Sequence, residues 1–171
     1  MIFAGLLILV LPFTQAYVVR LIEGFQGQDL ATQMRFGEYR DAWALMMRYP
    51  VFGVGFAGSP DLDLYLGVAM VYLTIGQQMG FLGLMAFAAV IGTVLGYAFF
   101  NRHIFANNER LDPLWLGIHA AIISGLIAGI FDHYLFNMEF LHAVTAFWLL
   151  IGLGVAATRL GRLMEKEQIH A

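Results

Sequence analysis

Apolar residues fall in blocks long enough to cross a bilayer, and polar residues gather between the blocks rather than alternating with them. Residues 2–21 are apolar apart from Thr14, Gln15 and Arg20. A helix rising 1.5 Å per residue over that length crosses a hydrocarbon layer about 30 Å thick, so this is the first predicted span. Residues 22–63 form a long polar loop. Its most patterned stretch runs from Arg35 to Gly58: Tyr39, Trp43, Met46 and Met47 recur at helical spacing, while Arg40, Asp41 and Arg48 fall outside that stripe. Pro50 ends the predicted helix by removing a backbone donor, and Gly53, Gly55 and Gly58 predict a turn that another group can approach closely.

The next apolar stretch, 64–100, is longer than one span and too short for two, and Gln77 and Gln78 interrupt it just before Gly80. That pattern predicts an interfacial or re-entrant helix over 64–78, which does not cross, followed by a second span over 81–100. A polar loop over 101–113, a third span over 114–130, a tight turn over 131–139, a fourth span over 140–157 and a charged tail over 158–171 complete the chain. The expected fold is therefore all-α: a polytopic helical membrane protein, one membrane domain of about four transmembrane helices with a long outer loop. Arg102 and Arg110 share a side with Arg159, Arg162 and Lys166, and the turn after the third span has no lysine or arginine. This makes 101–113 and the tail cytoplasmic, and 22–63 exoplasmic.

Composition agrees with that reading and narrows the chemistry. With 60% apolar residues, 12% charged residues and a mean hydropathy of +0.74, a chain of 171 residues has too little polar surface for an ordinary water-soluble domain. The net charge of −3 and nine scattered basic residues make no patch for nucleic acid. The absence of cysteine removes disulfides, thiolate metal sites and a cysteine nucleophile, and no motif indicates a metal or a cofactor. Gly53-Val-Gly55-Phe-Ala-Gly58 matches a dinucleotide fingerprint in its letters, but it follows a proline-stopped helix rather than a strand, so it reads as a packing turn. His119, inside the third span, reads as hydrogen-bonded to a neighbouring helix. Gly83, Gly92, Gly96, Gly117, Gly125 and Gly129 read as places where helices approach closely. Asp132 and His133, with Glu139 nearby, are ionisable residues at a membrane edge, which is either a proton-transfer pair or a solvated turn.

Arg40, Trp43, Ala44, Pro50, Gly53 and Gly55 together resemble the outer loop of the bacterial O-antigen ligase and polymerase family. Tyr72-Leu73 followed by Gln78-Met79-Gly80-Phe81-Leu82-Gly83 is similar to that family's entry into its next span. Phe131-Asp132-His133-Tyr134, before a span containing Phe147-Trp148, resembles its closing helix pair. The resemblance covers nearly the whole chain and corresponds to the C-terminal part of family members, which carry further spans; it implies a partner in that N-terminal part or in other polysaccharide-assembly proteins. It also implies a metal-independent enzyme of the bacterial inner membrane that moves a glycan from an undecaprenyl-diphosphate carrier at the outer face. Arg35 and Arg40 would bind the diphosphate, since guanidinium forks suit phosphate oxygens, with Trp43 and Tyr72 completing the substrate site and Asp132 or His133 serving as base. Where ligases of the family carry a His-Asn pair, this chain has Ala69 and Met70, which favours polymerisation over ligation. Two other readings compete with an enzyme: a non-catalytic membrane subunit that docks a glycan-export partner, and a transporter fragment, for which the glutamine pair would mark a broken helix.

Overall fold

The computed structural model describes Gln15, Val19 and residues 30–57, 67–105 and 111–170. Among the described residues the regular elements are helices: α1 (Leu30–Arg48), α2 (Val71–Phe100), α3 (Leu111–Ala128) and α4 (Leu141–His170), with short 3-10 turns at Arg102–Ile104 and Met138–Phe140. The predicted first span, 2–21, lies outside the described residues except for Gln15 and Val19. The helices α2, α3 and α4 are long and apolar enough to cross a membrane. Phe99, Phe100, Leu114, Ile127, Leu149 and Leu160 are exposed on them. Contiguous apolar surface of this kind suits lipid rather than water.

Boundaries differ from the sequence reading for local reasons. Residues 67–70 are not helical, so α2 begins at Val71. The third helix starts at Leu111 because Asp112 and Pro113 suit a first turn, one as an anion at the positive end and the other with its ring-fixed backbone. The fourth continues past 157 to His170, because Leu160, Arg162, Leu163, Met164, Glu165 and Lys166 are all good helix formers. On α1 the buried face is Ala42, Leu45 and Met46. Trp43 and Met47, expected on the same stripe as Met46, are about half exposed and lie on a separate face with Phe36.

The decisive feature of the fold is a break in α2. Gly80 has φ 67° and ψ −169°, and the chain doubles back there. The rings of Tyr72 and Phe87 lie 6.3 Å apart, whereas a straight helix would separate residues fifteen positions apart by about 22 Å. In an unbroken helix Phe81 N–H would bond Gln77 O, and Leu82 N–H would bond Gln78 O. Here the loop after α1 takes all four groups. Phe81 N–H donates to Pro50 O at 2.8 Å and Leu82 N–H to Val51 O at 3.4 Å, while Gln77 O accepts from Val54 N–H at 2.8 Å and Gln78 O from Gly55 N–H at 2.9 Å. The loop thus plugs the break, which satisfies backbone that lipid could not.

Glycine at two of these positions is a requirement of space. A Cβ on Gly53 would sit 2.6 Å from the carbonyl oxygens of Gln77 and Gln78, and one on Gly80 would sit 2.7 Å from Pro50 O. The group that approaches the glycine turn is therefore the broken helix itself, and Gly58 lies outside the described residues. Gly76 completes the fit by receiving Met46, whose Sδ would be 2.5 Å from an added Cβ.

The first half of α2 begins at the end of α3, since Val71 N–H donates to Gly129 O at 2.8 Å and to Asp132 O at 3.2 Å. It then runs from that level to Gly80, about 13 Å over nine residues, and the second half returns past it. Ile91, Ile122, Phe147 and Ile151 bind α2, α3 and α4 into one core. At the far end Phe105 stacks on Trp115 at 5.4 Å, Trp115 Nε1–H donates to Thr158 Oγ1 at 3.0 Å, and Arg102 pairs with Asp112 at 2.6 Å. His119 is buried, but its Nδ1 lies 2.7 Å from Trp115 O, so its hydrogen bond is to its own helix and not to a neighbour. Among the glycines expected at helix contacts, Gly125 meets Phe147, Gly129 meets Val71 and Gly83 meets Met79, whereas Gly92, Gly96 and Gly117 face open space.

Candidate functional site

A cavity of about 540 Å³ opens at the end of the bundle where α2 begins and α3 ends. Five parts of the chain build it, one of them Gly67, Val68 and Ala69 just before α2. Glu38 comes from α1, Phe56 and Ala57 from the plug loop, Thr74, Gln77 and Gln78 from the first half of α2, and His133, Asn137, Met138 and Glu139 from the turn between α3 and α4. The doubling back at Gly80 is what places Gln77 and Gln78 opposite that turn; in a straight α2 they would lie on a different level from it.

Gln77 is the unusual member. It is 1% exposed, and neither Oε1 nor Nε2 has a hydrogen-bond partner among the described residues. A buried amide left unpaired costs about 1–3 kcal/mol, so the fold retains it at the cavity against its own stability. Thr74 on the preceding turn, by contrast, spends its hydroxyl locally on Met70 O at 3.0 Å.

His133 is held from two directions. Asp132 Oδ1 accepts the His133 backbone N–H at 2.7 Å and lies 3.4 Å from Nδ1 of the ring. Tyr134 and Phe140 pack about the imidazole, with ring centroids 5.5 and 6.1 Å away. Asp132 is itself anchored, because its backbone carbonyl accepts from Val71 N–H. Among the described residues the ring Nδ1 has no hydrogen-bond partner, and the two side chains stand next to each other at a turn fixed to the start of α2.

No protein-family model, curated protein or solved structure matches this chain. The functional reading therefore rests on the chemistry of the cavity and on where the other expected residues lie. The Tyr72 hydroxyl donates to Leu126 O at 2.7 Å, tying the doubled-back half to α3 away from the cavity. Trp43 is about half exposed on α1 and is absent from the lining. Arg35 and Arg40 are also absent from it; the Arg40 side chain is 85% exposed, with Nε 4.0 Å from Asp41 Oδ1. At 100° per residue Arg35 stands about 60° around α1 from Glu38, whereas Arg40 stands about 160° away, so Arg35 is on the cavity side of the helix.

Sequence reasoning found His133 and Asp132 because charge at a membrane edge is conspicuous. It treated Gln77 only as an interruption, and it gave no role to Glu38 or Asn137. Among the described lining residues there are two carboxylates, three amides and a histidine, and no lysine or arginine. Such a surface repels phosphate and offers paired donors and acceptors to neutral hydroxyl groups. Among the described residues no three histidine, aspartate or glutamate side chains converge as metal ligands would.

Proposed function

We propose that this chain forms the outer-face, C-terminal part of a glycan polymerase that draws on an undecaprenyl-diphosphate-linked donor in the bacterial inner membrane. The observation that carries the reading is the cavity itself: a hydroxyl-reading surface of Glu38, Gln77, Asn137 and Glu139 with an aspartate-braced histidine at its edge. Amide and carboxylate groups recognise sugar hydroxyls, and His133 is the group to take a proton from an acceptor hydroxyl. On this reading the diphosphate binds outside the acidic cavity, and Arg35, on the cavity side of α1, is the first candidate for it, with Arg40 second.

The test is the chain-length profile of surface polysaccharide in cells carrying variants at matched abundance. His133→Ala and Gln77→Leu are expected to abolish long chains. Arg35→Lys is expected to shorten them, because a point charge does not reproduce a bidentate fork, and Arg40→Lys to have the smaller effect. An unchanged profile for all four would leave the docking-subunit reading in its place.

A further inference from the structure

At the opposite end of the bundle a second cleft, of about 210 Å³, is lined by Tyr97 from α2 and by Arg159, Arg162, Leu163 and Lys166 from α4. The three cations fall within an arc of about 60° on α4 at 100° per residue. None of them has a carboxylate within ion-pair distance among the described residues. Glu165, on the same helix, lies 3.8 Å from His103 instead. The Arg162 guanidinium sits 5.8 Å from the centre of the Tyr97 ring, an orientation that holds its fork in place before any ligand arrives.

Depth along the bundle says where this cleft meets its surroundings. From Leu141 to Arg159 α4 rises about 27 Å, and from Phe81 to Tyr97 α2 rises about 24 Å, which is close to the thickness of a hydrocarbon layer. The cations therefore lie at headgroup level, with a tyrosine in the position that interfacial aromatics occupy. Leu163 lines the cleft, and Val90, two turns nearer the membrane centre than Tyr97 on the same side of α2, is exposed. A free phosphate would use the cations and leave those side chains unmatched, whereas a phospholipid would use both.

We infer that this cleft is a binding site for the phosphodiester headgroup of an anionic phospholipid, with the acyl chains lying along α2 and α4. The inference is independent of the glycan reading, since it uses no residue of the outer cavity. It is tested by native mass spectrometry of the full chain released from nanodiscs containing equal phosphatidylglycerol and phosphatidylcholine. The unaltered protein is expected to retain phosphatidylglycerol in preference to phosphatidylcholine. Each of Arg159→Gln, Arg162→Gln and Lys166→Gln is expected to weaken retention about fivefold, and the triple variant about a hundredfold. Arg162→Lys, which keeps the charge and loses the fork, is expected to show a smaller loss than Arg162→Gln. These positions are exposed, so melting temperatures should stay close to that of the unaltered protein; should the triple variant not fold, the single variants decide. Excess inorganic phosphate is expected to leave the lipid bound. Equal retention of both lipids, undiminished phosphatidylglycerol on the single and triple variants, or displacement by inorganic phosphate would each overturn the assignment.

Discussion

Replacing Gly53 with alanine should be among the most damaging single changes in the described part of the chain, and its cost can be built from the structure. Gly53 has φ 66°, a left-handed conformation that costs an L-residue about 1–2 kcal/mol. The added Cβ also meets the Gln77 and Gln78 carbonyls, so the plug must withdraw from the break in α2. Withdrawal frees four backbone hydrogen bonds, at about 1 kcal/mol each, bringing the total to about 5–6 kcal/mol. Gly55 is the built-in control. Its φ is 81°, but nothing lies within 4 Å of an added Cβ, so Gly55→Ala should carry the conformational cost alone. Thermal unfolding in detergent, followed by circular dichroism, should therefore show a loss several times larger for Gly53→Ala than for Gly55→Ala. Amide exchange should rise at Val54, Gly55, Phe81 and Leu82 in the former variant. Equal melting temperatures for the two variants would refute the plug as a source of stability.

Sidedness is open to direct measurement because the chain has no native cysteine. A cysteine at Ala57 should react with an impermeant maleimide in intact cells, and one at His103 should not; the reverse pattern would invert the predicted orientation. Thr158→Val keeps the shape of a fully buried side chain but leaves Trp115 Nε1–H without its acceptor, so it should destabilise by about 1–3 kcal/mol in a denaturant titration, and a neutral result would remove that bond from the account.

The interruption in α2 was readable because its length fits neither one span nor two and because two glutamines precede a glycine. The second span read as 81–100 coincides with the part of α2 that follows the break. The partner of the glycine turn was not readable, since a close approach leaves only the glycine in the sequence and the approaching backbone has no side-chain signature. Periodicity failed on α1 for a related reason. That helix carries two adjacent apolar faces, Ala42/Leu45/Met46 and Phe36/Trp43/Met47, and which is buried is decided by packing against the rest of the fold, as in the contact of Met46 with Gly76. Helix α4 runs on beyond the predicted span into the charged segment, which the sequence did not reveal because a charged helix and a charged tail have the same composition. At the cavity, Asp132 and His133 stood out as neighbours in sequence. Their company with Gln77 and Glu38 depends on the reversal at Gly80, which local pattern does not contain.

The order in which the chain is made gives the break in α2 two different closing times. The plug over Pro50–Gly55 precedes Gly80 in the chain, so it is already synthesised when the bend emerges and can seal the apex at once. The other end of the doubled-back segment waits, because Val71 N–H bonds Gly129 and Asp132, which are translated later. Until the turn between α3 and α4 has emerged, the short arm is pinned at its tip and open at its base. The cavity, which needs that turn for His133, Asn137 and Glu139, is consequently among the last parts of this segment to be assembled during biogenesis.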